Sequence, residues 1–513
     1  MTTGSDQSAG PLAGPLAGPL SVAVASLCAL LLPQVSATTG AGFHEVLRRL
    51  HAPLQVAVAG RIKSGKSTLV NALIGRRVAP TAVGECTRLV TRFSYGTVDR
   101  VEVIFTDGGR KVLPFDTDGG IPADLGPAVG DIARVSHLEA YLTNAVLRDL
   151  TVIDTPGLGS LDAASVARTE EVLADLDPVS TDAVAGAEAV LYVLTQAVRA
   201  DDHEALRVFT AATARREAGP VNAIAVLNKA DTITPGPDGD AWRAASALAA
   251  QQAATLRPRV ADVLPVIGLL AESAETGVFT SADADNLRVL AALDEGTWET
   301  MLLSADLFTT WEAAVPAGTR ALLLAKLDLY GLRRAVAALR AEPTLTAGDL
   351  RRRLLADSGL AEVRGRLDAV FRARADGIKA AAALASITAL AHASGDAGER
   401  QRVHDAIEVL LTRPEAHQLR LLEALTLVAS GSVDLPVDLA DEVLRVGGFA
   451  DVGERLGLVD RSVRDLASFA LERAGWWRSF ASFGATPAQS RVAHVVHRAY
   501  FLIWQQLRDQ VTT

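Results

Sequence analysis

Eight residues, Gly60-Arg61-Ile62-Lys63-Ser64-Gly65-Lys66-Ser67, carry the parts needed to hold a polyphosphate. The bounding glycines let the backbone N–H groups of Arg61, Ile62, Lys63, Ser64 and Gly65 turn inward around anionic oxygens. Lys66 can reach the β- and γ-phosphates, and the Ser67 hydroxyl can hold Mg2+. Thr68 continues the same turn and opens the helical pattern Thr68-Leu69-Val70-Asn71-Ala72-Leu73-Ile74. A helix starting there adds positive potential to the cradle.

Further motifs select the nucleotide. In Val152-Ile153-Asp154-Thr155-Pro156-Gly157, Asp154 would hold Mg2+ through water and the Gly157 N–H would sense the γ-phosphate. Pro-Gly also makes ordinary turns, so this motif counts only in company. Asn228-Lys229-Ala230-Asp231 comes directly after an apolar run. The Asp231 carboxylate can accept from guanine N1–H and N2–H2, a pattern that adenine lacks. Asn228 would brace the loop, and the Lys229 stem would cover the base. Together these residues point to GTP with Mg2+. Thr87 in Glu85-Cys86-Thr87-Arg88 would close over Mg2+ and the γ-phosphate, with Thr81 as its competitor. Gly268, in Pro265-Val266-Ile267-Gly268, would offer its amide to guanine O6, although a plain strand end reads the same way.

These residues need elements to position them. Leu54 to Ala59, Val101 to Phe105, Leu150 to Ile153, Val190 to Leu194 and Ala223 to Leu227 read as strands separated by helical stretches. Strands ending at functional loops predict an α/β fold, with a doubly wound, mostly parallel sheet and the ligand at the strands' carboxyl ends. Some 66 residues separate Thr87 from Asp154, so the domain is enlarged relative to a minimal small GTPase. After about Ser281 helical periodicity takes over. Leu360, Val363, Leu367 and Val370 form one stripe; Val463, Leu466, Ala467, Ala470, Leu471 and Ala474 form another. The expected organisation is a disordered low-complexity tail over 1–18, a helix over 19–50 joining the bundle, a GTPase domain over 51–280 and a helical bundle stalk over 281–513.

Composition bounds the function. The chain has 513 residues and a formal net charge of −10, which argues against general nucleic-acid binding. Cys28 and Cys86 lie far apart, so they suggest neither a disulfide framework nor a metal site, and a reducing cytoplasm fits. Ser21 to Val35 is apolar but short for a membrane span, and no basic residue precedes it. It reads as a packed helix, as does Ala380 to Ala393. Trp476-Trp477-Arg478-Ser479-Phe480-Ala481-Ser482-Phe483-Gly484 suits a bilayer interface or a bundle turn. Thr300-Met301-Leu302-Leu303 with Leu307-Phe308 is another candidate for lipid contact, no stronger.

The run from Leu54 through Gly96 resembles bacterial dynamin-like proteins, and among them the isoniazid-inducible dynamin-like GTPases of actinobacteria. Gly65-Lys66-Ser67-Thr68-Leu69-Val70-Asn71-Ala72-Leu73, Glu85-Cys86-Thr87-Arg88 and Asp154-Thr155-Pro156-Gly157 carry the likeness. It implies a GTP hydrolase that self-associates through its G domains and contacts membrane lipid peripherally. That contact would lie on the cytoplasmic, inner face of the plasma membrane. A second dynamin-like protein is a further candidate partner. Family members lack the water-orienting glutamine of small GTPases, and here that position is Leu158. Ile62 stands where dynamins usually carry glutamine, and Lys63 where they carry a serine that helps hold a monovalent cation. Guanylate-binding proteins place an arginine finger at the Lys63 position. Lys63 is therefore expected to neutralise charge developing between the β- and γ-phosphates, beside the catalytic candidates Lys66, Thr87 and Gly157. A solvated lysine or a surface salt bridge is the alternative.

Overall fold

The computed structural model describes residues 18–61, 63–80, 89–122, 125, 129–130, 132–155, 187–196, 223–234, 240–256, 260–372, 374–429, 431–448, 451–458 and 460–511. A nine-stranded sheet runs in the order β4-β3-β5-β2-β6-β1-β7-β8-β9. The strands are β1 Leu54–Gly60, β2 Thr91–Tyr95, β3 Arg100–Phe105, β4 Arg110–Leu113, β5 Val135–Leu142, β6 Leu150–Asp154, β7 Ala189–Leu194, β8 Ala223–Asn228 and β9 Val263–Val266. β6, β1, β7, β8 and β9 are mutually parallel, so their carboxyl ends share one edge. β1, β7 and β8 are buried throughout, which explains why they read as continuous apolar runs rather than alternations. β2 runs antiparallel to β6, and β3 and β4 form an antiparallel edge. These strands absorb the enlargement between Thr87 and Asp154. The fold is thus an α/β architecture, a mostly parallel sheet with a long helical region after it.

Two helices precede the sheet: α1 Pro19–Leu31 and α2 Ala37–His51. α3 Lys66–Ile74 comes after β1. Beyond β8 come α4 Ala241–Leu256, α5 Gly268–Glu275, α6 Ser281–Ala291, α7 Glu295–Met301, α8 Ala305–Thr310, α9 Ala317–Ala341, α10 Ala347–Asp357 and α11 Leu360–Leu367. A π-helical turn over Asp368–Arg372 leads to α12 Ala375–Ala393. Then come α13 Ala397–Leu411, α14 His417–Ala429, α15 Val437–Val446, α16 Val452–Leu456, α17 Val463–Phe483 and α18 Pro487–Val511.

The chain is helical from Gly268 onward, after the last strand, and helices α6 to α10 bury Leu287, Leu323, Leu339 and Leu354 in one core with the sheet. The stripe Leu360, Val363, Leu367 and Val370 packs in the core beneath the other sheet face. Helices α12 and α13 instead pack with α1 and α2, and α14 to α18 form a further core. In α17, Leu466, Ala470 and Ala474 are buried, whereas Val463 and Leu471 are exposed.

Buried carboxylates and an ammonium tie the first helices to residues 375–399. The Leu20 and Ser21 N–H groups donate to the Asp376 carboxylate at 3.0 and 2.7 Å. Ser36 N–H and Thr39 Oγ1 donate to Glu399 at 2.8 and 2.5 Å. Lys379 Nζ donates to the carbonyls of Arg49, Leu50 and Ala52, closing the α2 C-terminus. The apolar segment from Ser21 is therefore a packed helix. Among the described residues, no helix is long and apolar enough to cross a membrane. Met301, Leu302 and Phe308 are core residues. In the aromatic run, Trp477 is fully buried and donates to Glu442 at 2.9 Å, as does Tyr500 at 2.7 Å. Phe483, at the end of α17, is 94% exposed. The expected tail lies outside the described residues except for Gly18.

Candidate nucleotide site

The phosphate loop leaves the carboxyl end of β1, between β6 and β7. Gly60 and Gly65 do the steric work. A Cβ on Gly60 would lie 2.5 Å from the Val193 carbonyl oxygen. Gly65 caps α3 with φ +87°, and its Cβ would lie 2.4 Å from Asn228 Nδ2. Lys63 holds φ +62° without being glycine, and its exposed side chain makes no hydrogen bond or ion pair with another described residue. Ile62 lies outside the described residues. Thr68 sits half-buried in the first turn of α3.

Lys66 is buried, and its Nζ donates to the carbonyls of Gly60 (3.1 Å) and Arg61 (2.9 Å). Burial lowers its pKa, and the nearby Asp154 opposes that shift. Ser67 Oγ donates to Asp154 Oδ2 at 2.9 Å, while Asp154 Oδ1 is buried with no partner among the described residues. Burial pushes the Asp154 carboxyl up to about 6, against the pull of Ser67 and Lys66. A hydroxyl beside a carboxylate with one orphaned oxygen is a donor set that fits a hard divalent cation. Thr155 Oγ1 donates to the Val58 carbonyl at 2.8 Å, turning the chain after β6 back onto β1. Thr87, Thr81 and Gly157 lie outside the described residues.

Asn228 joins three loops. Its Nδ2 donates to the Ser64 carbonyl at 2.8 Å, and its Oδ1 accepts from Lys229 N–H (2.8 Å) and Gly268 N–H (2.9 Å). One amide thus fixes the phosphate loop, the base-reading loop and the start of α5. Lys229 adopts φ +58°, a left-handed turn that leaves its side chain exposed. Asp231 is half-buried; desolvation raises its pKa, and Asp328 adds negative potential. The structure brings together Gly60, Arg61, Ser64, Gly65, Lys66, Ser67, Asp154, Asn228 and Gly268.

Motif reading misses a supporting layer. The Ser358 carbonyl accepts from Ile267 N–H at 2.9 Å, holding the residue before Gly268. Buried Glu272 on α5 accepts from Asn71 Nδ2 at 2.7 Å, and Asn71 Oδ1 accepts from Val78 and Ala79 N–H at 2.9 and 2.7 Å. Asn71 thereby holds the chain at Val78 and Ala79. The one signal in the sequence is a polar Asn inside the apolar pattern of α3.

A family model for the dynamin family matches residues 56–230. Isoniazid-induced protein IniC of Mycobacterium tuberculosis is 34% identical over 436 residues, covering 84% of this chain and 85% of that protein. The bacterial dynamin-like protein of Nostoc punctiforme is 43% identical over 120 residues, or 21% of this chain and 17% of its own length. Dynamin-like protein 2 of Campylobacter jejuni is 26% identical over 133 residues, covering 25% and 20%.

Proposed function

The chain belongs to the dynamin family, as a bacterial dynamin-like protein close to IniC, and from that premise we propose that it couples GTP turnover to self-association and membrane remodelling. It is a GTP hydrolase: water attacks the γ-phosphorus, the bond to the β–γ bridging oxygen breaks, and GDP leaves with phosphate. The observation that carries the nucleotide reading is the Asn228 amide, which holds phosphate loop and base loop in one register. Lys66 swings from two loop carbonyls to the β- and γ-phosphate oxygens. Its buried setting strengthens that interaction relative to water. Asp231 reads the guanine edge, and the Gly268 loop abuts it. Ser67 and Asp154 would hold Mg2+, which supplies charge neutralisation on the phosphates when bound. Lys63 is the candidate for charge stabilisation along the breaking bond.

The membrane reading is supported by family membership and by Phe483, an aromatic side chain that packs against little at the end of a 21-residue helix. The protein acts peripherally, on the inner face of the plasma membrane. Co-sedimentation of the full chain with anionic liposomes under GTP, GDP and no nucleotide tests this. A lipid pellet that depends on nucleotide and is lost in Phe483→Ser is the expected result. Absence of any lipid-dependent pellet sinks the remodelling reading. It then leaves a nucleotide-dependent partner of another dynamin-like chain.

A further inference from the structure

A cavity of about 980 Å3 opens at the opposite end of the sheet from the phosphate loop. It lies beneath the starts of β1 and β6, at Leu54, Gln55 and Thr151, and the ends of β2 and β5, at Tyr95 and Tyr141. α2, α12, α11 with the π-helical turn, and the segment before β6 contribute further polar lining. GTP chemistry makes no use of this space.

Cations outnumber carboxylates on this lining: Arg48, Arg92, Arg148, Arg364 and Lys379 stand with Glu139, Asp149 and Asp368. The chain as a whole carries −10, so the cluster is not a sample of a basic surface. Three of the five are committed elsewhere, Arg364 through Glu275 and the Ala72 and Leu73 carbonyls. Lys379 donates to three backbone carbonyls, and Arg48 forks onto Glu45. Arg148 lies over the Tyr95 ring at 4.9 Å and remains largely exposed.

Arg92, on β2, is different. One NH2 donates to Gln55 Oε1 at 3.1 Å, and its Nε is shut off from water with no acceptor. No carboxylate of a described residue lies within ion-pair distance of it. Glu139 acts on it only at longer range and accepts from the Tyr141 hydroxyl at 2.6 Å. Desolvation disfavours its charge most, Glu139 and Glu45 favour it, and Arg48 and Arg49 add like charge. A guanidinium keeps its proton regardless. A largely desolvated guanidinium with one N–H lacking an acceptor and no carboxylate bonded to it is costly, and an anion at this position would offset that cost. Leu73, Val146, Leu367 and Phe371 give the lining an apolar share.

We propose that this cavity is a second anion site that takes a phosphate monoester carrying an apolar body, anchored by Arg92. The volume suits a ligand much larger than phosphate alone. A phospholipid headgroup with its chains and a soluble phosphorylated apolar metabolite share this chemistry. An occupant would touch the sheet and α12 together, linking the two halves of the chain.

The full chain, saturated with a non-hydrolysable GTP analogue so that the phosphate loop is filled, is titrated calorimetrically with three probes. These are monomeric dioctanoyl phosphatidic acid, phenyl phosphate and inorganic phosphate. Saturable binding of either amphiphile, tighter than inorganic phosphate and weakened about tenfold in Arg92→Gln and in the exposed Arg148→Gln, is expected. Phosphatidic acid alone binding assigns a lipid source; phenyl phosphate alone or both binding admits a soluble one. No saturable binding, binding of inorganic phosphate only, or equal affinity in wild type and both variants overturns the site.

Discussion

Lys63 is a phosphate-loop side chain committed to no other described residue. Its positive φ is a conformation that non-glycine residues hold at some cost, a feature that concentrates at functional sites. Alanine shares that backbone restriction, so Lys63→Ala removes the ammonium without adding strain. The expected outcome is GTP affinity within about twofold and a turnover number lower by about tenfold to a hundredfold, measured by phosphate release and equilibrium binding. Wild-type turnover in the variant returns Lys63 to the solvent. At this scale the site is legible wherever backbone shape demands a residue type. Glycines at 60 and 65 are such demands, because a Cβ there would meet the Val193 carbonyl oxygen and Asn228 Nδ2 too closely, and Asn228 is another, because its amide both donates and accepts. Glu272, Asn71 and Ser358 are not legible in that way. Their partners stand up to 201 residues away, and nothing in local spacing encodes a carboxylate meeting an amide across that interval.

Among the elements, helices announce their buried face but not the surface that covers it. Leu360, Val363, Leu367 and Val370 repeat as a bundle helix would, yet they pack beneath the sheet, because an apolar stripe fits a sheet face as readily as another helix. The α15–α17–α18 contact is specified instead by a polar centre. Burial pushes the Glu442 carboxyl up, but hydrogen bonds from Arg473, Trp477 and Tyr500 outweigh it and hold the group below the usual carboxylate range. A folded value below the unfolded one means stability that is complete above the unfolded pKa of about 4.3 and is lost as pH falls through the folded value. Melting temperature should therefore fall below about pH 4, and this part of the decline should vanish in Glu442→Gln. That variant should also lose about 3 kcal/mol at neutral pH, because Arg473 is left half-buried without its partner. An unchanged denaturation midpoint would demote the network to decoration.

At the scale of the whole molecule, Arg364 on α11 connects the phosphate-loop helix to the helical region beyond the sheet. It donates to Glu275 at 2.5 Å and to the Ala72 and Leu73 carbonyls at 2.9 and 3.3 Å, at the C-terminal end of α3. Cations favour helix C-termini, so a shift of α3 on nucleotide exchange is felt by α11 and by the π-helical turn after it. Arg364→Ala is expected to bind GTP as wild type does. Its liposome co-sedimentation should no longer respond to the choice of nucleotide, and an unaltered response would break the connection. The clamp on α1 has a different outcome, set by time. The Leu20 N–H waits for a carboxylate 356 positions later in the chain. At ribosomal speeds that interval is roughly 20–70 s. Throughout it the oily stripe of Val24, Leu27 and Leu31 has α2 but lacks the cover that α12 and α13 supply. A nascent polypeptide of this design is a natural client for trigger-type chaperones, and its yield in overexpression should track their supply.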